Sequence, residues 1–103
     1  MKLYFYKLNS DGIRFEEYEA EARETPKMYI GEFPNYRSRI YKDEINQVLD
    51  GMSNKWYITD YPARVEALNS FYLYYKKRWR KHIDYAADNL EAMSRIDKLL
   101  QEE

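Results

Sequence analysis

The residues best suited to bind a partner form a basic cluster towards the C-terminal half of the chain. On a helix, with about 100° per residue, its four cations span a sector of roughly 140°. They are Lys76, Lys77, Arg80 and Lys81, and Leu73 lies in the same sector. Such a face could contact phosphates or an acidic protein surface. The alternative is a solvated face, partly neutralised by acidic residues of this chain or of a neighbouring chain.

A second charged pattern consists of three alternating acids, Glu17, Glu19 and Glu21. On a strand they would place carboxylates on one face, about 6.6–6.8 Å apart. Such a row could imitate a phosphate backbone or dock on a basic partner. The alternative is a charged edge strand that discourages edge-to-edge pairing.

Other kinds of chemistry find little support in the residues. The chain has no cysteine and one histidine, His82, which falls on the apolar side of its helix. A metal site needs several such ligands close together, so His82 is more simply a polar residue that sets helix register. The serines lack a nucleophile signature, and no glycine-rich phosphate loop occurs. We therefore expect no catalytic, metal or cofactor residues, and no enzyme.

Length and composition predict one domain, residues 1–103, with one modest core. The formal net charge of −1 argues against general nucleic-acid binding, but the charge is unevenly distributed. Residues 61–83 carry a net +5, whereas residues 10–24 and 84–103 each carry −4. No apolar run approaches about 18 residues, and the N-terminus lacks the pattern of a signal peptide. We expect a soluble, cytoplasmic protein that does not enter a membrane.

Residues 2–8 predict a first strand that is apolar on both faces. One face holds Leu3 and Phe5, and the other holds Tyr4, Tyr6 and Leu8. Residues 9–12 (NSDG) are typical of a tight turn, and alternation resumes over residues 13–18. The pattern predicts a β-hairpin.

The remaining elements before residue 62 are shorter. We expect strands at residues 28–30, 36–41 and 55–59, and a short helix at residues 42–49. Apolar spacing at Ile45, Val48 and Leu49 favours that helix, and Gly51 would end it. Residues 59–62 (TDYP) favour a helix start, with Thr59 or Asp60 accepting a first-turn N–H.

The C-terminal region contains no glycine or proline after Pro62. Its heptad pattern predicts one long coiled-coil-like helix from about residue 62 to 101, following a β-rich part at residues 1–60. The predicted elements together give an α+β domain, with a small, mostly antiparallel sheet and a short helix before the long one. At about 1.5 Å per residue this helix would be about 60 Å long and would overhang its own domain. We therefore expect a homodimer through the distal apolar stripe. The predicted dimer residues are Ala86, Asn89, Met93, Ile96 and Leu100. The alternative is a turn within residues 82–89 that folds the helix back.

The order of segments resembles that of small accessory proteins of phages and other bacterial mobile elements. The similar features are MKLYFYKL at the start, RIYKDEINQVLDG, YITD and a long charged helix. Some such proteins are anti-CRISPR proteins, so the resemblance implies a protein that binds and inhibits a host defence protein or ribonucleoprotein complex. The alternatives are a nucleic-acid-binding module that uses residues 76–81 and a structural dimer or scaffold protein.

Overall fold

The computed structural model describes residues 1–9, 14–51, 54–81 and 86–102, and for residues 78–81 and 86–91 it describes the backbone alone. Antiparallel strands come first and two helices follow, which confirms the α+β class. The strands are β1 (Lys2–Asn9), β2 (Phe15–Glu21), β3 (Arg23–Glu24), β4 (Met28–Ile30), β5 (Arg39–Tyr41), β6 (Val48–Asp50) and β7 (Asn54–Thr59). The helices are α1 (Arg64–Lys81) and α2 (Ala86–Gln101).

The larger sheet has four strands in the order β2-β1-β7-β6, all antiparallel. Strand β1 is central, and its Tyr6 lies opposite Glu17 on one side and Tyr57 on the other. The predicted hairpin of β1 and β2 is confirmed, although its turn lies outside the described residues. As the alternation predicted, Leu3 and Phe5 lie on one face of β1, and Tyr6 and Leu8 lie on the other.

A smaller sheet, β3-β4-β5, covers one face of the larger one. It continues from β2 after a single residue, Ala22, whose N–H donates to the carbonyl of Met1 at 2.8 Å. Between the two sheets lies a buried cluster of Leu3, Phe5, Tyr29, Phe33, Ile40 and Ile58. We call this side of the larger sheet the outer face. The side that packs against the helices is the helix face.

The predicted helix at residues 42–49 is wrong. Only a 3-10 helix, Lys42–Glu44, forms there, and the chain then enters β6, which pairs with β7. Asn46 adopts a left-handed backbone, with φ of 62°, and its N–H donates to the carbonyl of Ile58 at 2.8 Å. A helix cannot continue through that conformation. The missed signal was the Asp50-Gly51 pair, which favours a hairpin turn. Gly51 accordingly lies in the β6–β7 connection, where its N–H donates to Asn54 at 2.9 Å.

The single long C-terminal helix is also wrong. Two helices, α1 and α2, pack against each other, and the longest dimension of the molecule is 42 Å, shorter than the about 60 Å of a continuous helix. Ala92 and Ile96 of α2 lie in the same buried cluster as Leu68 and Phe71 of α1. The part of the distal apolar stripe around Ile96 is thus covered within the chain.

Helix α1 begins with help from the first strand. The carbonyl of Ala63 accepts the first helical hydrogen bond, from Ala67 at 2.9 Å, while its N–H donates to the hydroxyl of Tyr6 at 2.7 Å. The Thr59 hydroxyl donates to the carbonyl of Tyr61 at 2.5 Å. Tyr6 therefore satisfies an N–H at the helix start, a role that the sequence assigned to Thr59 or Asp60.

Replacing Ile96 by Ala should destabilise the folded monomer rather than separate two chains. Ile96 is fully buried, so its truncation leaves a cavity, and we expect a loss of about 2–5 kcal/mol in the free energy of unfolding. Urea unfolding at several protein concentrations measures this loss. A midpoint that rises with concentration in the wild type but not in Ile96→Ala would assign Ile96 to a dimer instead. Leu73→Ala is the control, because Leu73 is 53% exposed on α1, and it should change stability by less than about 0.5 kcal/mol.

Candidate partner-binding surfaces

The basic face of α1 is partly described. Leu73 and Lys77 are exposed and Lys76 is half-buried. Arg80 and Lys81 belong to α1, but their side chains lie outside the described part. The opposite side of the helix is in the core, where Tyr75 is 2% exposed, as the helical spacing predicted. The structure therefore places Leu73, Lys76 and Lys77 away from the core. We call these three residues the basic face.

The acidic strand does not neutralise the basic face. Within the described part of the chain, neither Lys76 nor Lys77 lies within ion-pair distance of a carboxylate. The acids of β2 and β3 have other partners, such as Lys7 for Glu16, at 3.5 Å, and Lys42 for Glu24, at 2.8 Å. The intramolecular neutralisation considered from the sequence is therefore not seen between the described residues.

Glu17, Glu19 and Glu21 lie on β2, an edge strand of the larger sheet, as three alternating acids. Each forms an ion pair within the chain. Glu17 contacts Arg64 of α1 at 2.6 Å, Glu19 contacts Lys2 at 3.4 Å, and Glu21 contacts the N-terminal ammonium at 3.7 Å. A row of carboxylates that are already paired is a poor imitation of a phosphate backbone, whose charges are also more densely spaced.

A groove of about 810 Å³ lies between β2 and the first turn of α1. Glu17 and Glu19 face it from the strand, beside Tyr4 and Tyr6 of β1. Pro62, just before α1, and Arg64, Val65 and Glu66 of its first turn line the other side. The groove therefore combines tyrosine rings with three carboxylates and one guanidinium group.

Tyr6 links this groove to the core. Its side chain is 4% exposed, and burial raises the pKa of its phenol, although the hydrogen bond from Ala63 acts in the opposite direction. The negative charges of Glu17 and Glu66 add to the rise. Tyr6 therefore remains neutral and hydrogen-bonded throughout the neutral pH range.

Of the residues predicted to form a dimer, the three whose side chains are described pack within the chain. Ile96 is fully buried, and Met93 and Leu100 are half-buried against the same cluster. Ala86 and Asn89 belong to α2, but their side chains lie outside the described part, and His82 lies outside the described residues. The reason for expecting a homodimer, an overhanging apolar stripe, does not hold for Ile96. The homodimer itself stays a prediction.

A buried lysine was missed by the sequence analysis. Lys55 is only 3% exposed, with its ammonium 3.8 Å from Asp50 and close to the rings of Tyr74 and Tyr75, at 5.3 and 5.4 Å from their centroids. Tyr74 also donates to Asp50 at 2.6 Å. These contacts attach the β6–β7 hairpin to α1. Alternation along β7 was the available signal, since it places Lys55 on the same face as Tyr57.

A second missed feature is an aromatic region on the outer face. Trp56 lies near Tyr18, with ring centroids 6.3 Å apart, and the ammonium of Lys7 lies 5.6 Å from the Trp56 ring. The hydroxyl of Tyr18 donates to Glu16 at 2.5 Å, which raises the pKa of Tyr18 and lowers that of Glu16. Tyr36 is fully exposed and has φ of 64°.

No group of three His, Cys, Asp or Glu side chains among the described residues is arranged so as to hold a metal ion. No helix in the described ranges is long and apolar enough to cross a bilayer.

Comparisons of the chain with protein-family models, with curated proteins and with solved structures each give no match. Function is therefore inferred from the surfaces of this chain.

Tyr6→Phe should weaken the start of α1. The substitution leaves the buried N–H of Ala63 without an acceptor, so we expect a loss of about 1–3 kcal/mol in the free energy of unfolding at pH 7. The pKa of Tyr6 is higher in the folded than in the unfolded protein. Tyr6 therefore contributes fully to the free energy of unfolding below its unfolded pKa of about 10, and this contribution is lost as pH rises through the folded pKa. The difference between the two proteins should therefore shrink above about pH 10. Urea titrations at pH 7 and at alkaline pH measure both effects.

Tyr4→Phe is the matched control. Tyr4 lines the same groove and is half-buried, but its hydroxyl forms no hydrogen bond with the described residues. An equal loss for Tyr4→Phe and Tyr6→Phe would contradict a specific role for the hydrogen bond to Ala63.

Proposed function

We propose that this protein acts by binding rather than by catalysis, as a mobile-element inhibitor of a host defence complex such as a CRISPR effector nuclease. The observation that carries this proposal is the basic face. Lys76 and Lys77 have no carboxylate partner among the described residues, and Leu73, one turn earlier on α1, is exposed. The resemblance to accessory proteins of mobile elements supports the inhibitory role.

The chemistry of the basic face suits an acidic macromolecular surface. Lys76 and Lys77 can each donate charge-assisted hydrogen bonds to carboxylates or phosphates. Leu73 adds apolar area whose burial favours a protein partner over a bare phosphate backbone. By occupying a surface that the defence complex needs for nucleic acid or for assembly, the basic face would block that complex without any reaction.

The packing of the two helices holds the basic face in a fixed position. Leu68, Phe71 and Tyr75 anchor α1 to the sheet, and α2 packs against α1. The positions of Leu73, Lys76 and Lys77 are thus set before a partner arrives. Preorganisation of this kind lowers the entropic cost of association.

The double variant Lys76→Ala, Lys77→Ala tests the proposal. Alanine favours the helix, and neither lysine is in the core, so the fold should be retained. In bacteria with an active CRISPR nuclease, the wild-type protein should restore phage plating, and the variant should lose this effect by about tenfold or more, since two charge-assisted contacts disappear. Plaque counts across a panel of CRISPR types provide the measurement.

The matched control is Lys27→Ala, Lys98→Ala, which makes the same change in net charge at two other exposed lysines. It should keep the wild-type effect. Equal activity of the two double variants would indicate that the basic face is a solvated surface that binds no partner. Failure of the wild type to restore plating with any CRISPR type would refute inhibition of a CRISPR effector nuclease.

The second candidate is a nucleic-acid-binding module, which the same unpartnered Lys76 and Lys77 favour. Salt separates the two functions. If the basic cluster neutralises about four phosphates, affinity for a labelled DNA duplex should fall by roughly a hundredfold between about 50 and 200 mM salt. Binding that resists this change, or no binding to the duplex at low salt, would favour the protein partner.

A further inference from the structure

The outer edge of β2 presents backbone groups that do not pair with β1. Met1 and Ala22 exchange both of their backbone hydrogen bonds, at 3.2 and 2.8 Å. Hydrogen-bonded pairs alternate with non-hydrogen-bonded pairs along an antiparallel ladder. The even-numbered residues of β2 therefore bond to β1. The odd-numbered residues, Phe15, Glu17, Glu19 and Glu21, direct their N–H and C=O groups away from the sheet.

This edge is open over most of its length. In the described part of the chain, no backbone group donates to or accepts from the outward groups of Phe15, Glu17 or Glu19. Among the described residues the edge is blocked at Glu21, where a Cβ atom on Gly31 would lie 2.7 Å from the Glu21 carbonyl oxygen. An open edge of this kind can pair with a further strand.

The charge beside the open edge indicates the kind of strand. Glu17 and Glu19 project on the helix face, and three of the four charged residues that line the adjoining groove are acids. The ion pairs to Arg64 and Lys2 leave both carboxylates exposed, at 43% for Glu17 and 59% for Glu19. A carboxylate can accept about four hydrogen bonds, so one cation does not saturate it.

A second copy of this chain does not suit the edge. Two β2 strands that paired antiparallel would place the acidic row of one chain beside that of the other. Like charges in facing strands destabilise the pair. An extended segment with cations at alternate positions has the complementary charge.

We propose that the open edge of β2 binds an extended basic segment of a partner protein, which joins the larger sheet as a fifth strand. The outward backbone groups of Phe15, Glu17 and Glu19 supply the hydrogen bonds, as in other cases of strand addition. Alternate lysine or arginine side chains of the segment face Glu17 and Glu19 and extend into the groove, beside Tyr4 and Val65. This surface lies on β2 and does not involve the basic face, so it can be tested whether or not the inhibitory role holds.

The first experiment uses a labelled peptide in which lysine and valine alternate, with fluorescence anisotropy as the readout. We expect it to bind the wild-type protein at least about tenfold more tightly than a peptide of the same composition with its lysines in one block. Glu17→Gln, Glu19→Gln should weaken binding by about tenfold or more, because two charge pairs are lost. Equal affinity of the two peptides would overturn strand addition, since only alternation matches the spacing of the strand.

The second experiment isolates the backbone. Glu19→Pro removes the outward N–H and the charge, whereas Glu19→Thr removes the charge but keeps the N–H. Because that N–H is not part of the ladder with β1, proline at this edge position should be tolerated. We expect Glu19→Pro to bind the alternating peptide about tenfold more weakly than Glu19→Thr. Equal binding of the two folded variants would overturn the proposal.

A third measurement does not depend on how Glu19→Pro folds. Two versions of the alternating peptide carry N-methyl groups, one on its odd and one on its even residues. A strand that joins an edge uses the N–H groups of only one set, so one version should lose affinity for the wild-type protein by about tenfold and the other should keep it. Equal affinity for both versions would overturn the proposal. A wild-type dimer in sedimentation that persists in Glu19→Thr and dissociates in Glu19→Pro would also overturn it, because the edge would then pair with a second copy of the chain.

Discussion

The fold depends on the burial of one strand on both of its faces. Strand β1 carries fully buried Leu3 and Phe5 on its outer face and buried Tyr6 and Leu8 on its helix face. A single layer could cover only one of these sets, and the other would remain in water. The chain therefore needs a layer on each side, the smaller sheet on one and the helix pair on the other. Both layers follow from the sequence of β1.

The layer that covers the helix face of β1 consists of two packed helices. Helix α1 covers Tyr6, Leu8 and Tyr57 with its own apolar side. Helix α2 packs against α1, and its Ala92 and Ile96 join the same buried cluster. A polar contact adds direction to this packing, because the buried Lys55 and its partner Asp50 fix the β6–β7 hairpin against α1. The side of α1 that remains exposed is the basic face.

The sequence was a good guide wherever the pattern was local. Alternation in residues 2–8 placed the right side chains on each face of β1, and the spacing of Phe71 and Tyr75 identified the buried side of α1. Periodicity reports which side of a helix is apolar, but it is the same for one long helix and for two packed helices. The reversal between α1 and α2 was for that reason not determined. The spacing of Ile45, Val48 and Leu49 likewise fits a helix turn, and the backbone of Asn46 decided against it.

For the candidate surfaces, too, local patterns were predictable from the sequence and contacts between distant residues were not. Residue type and helical spacing were enough to place Lys76, Lys77 and Leu73 on one exposed side. The state of the acidic row was not readable, because the partners of Glu17 and Glu19 are Arg64 and Lys2, which are distant in sequence. The sequence did suggest an edge strand for the acidic row, but the direction of the backbone groups of β2 was not readable, since it depends on the register with β1.

The position of β1 between β2 and β7 has a consequence for synthesis on the ribosome. Strand β2 follows β1 closely, so that hairpin can form early, but β7 begins about 45 residues after β1 ends. At about 5–20 residues per second, β1 waits roughly 2–9 seconds for its second neighbour. During that interval Tyr6 and Leu8 have no helix to cover them, and a chaperone that binds apolar segments would find them accessible. The order in which the strands leave the ribosome therefore makes a strand that is buried on both faces in the finished protein the one exposed for longest during synthesis.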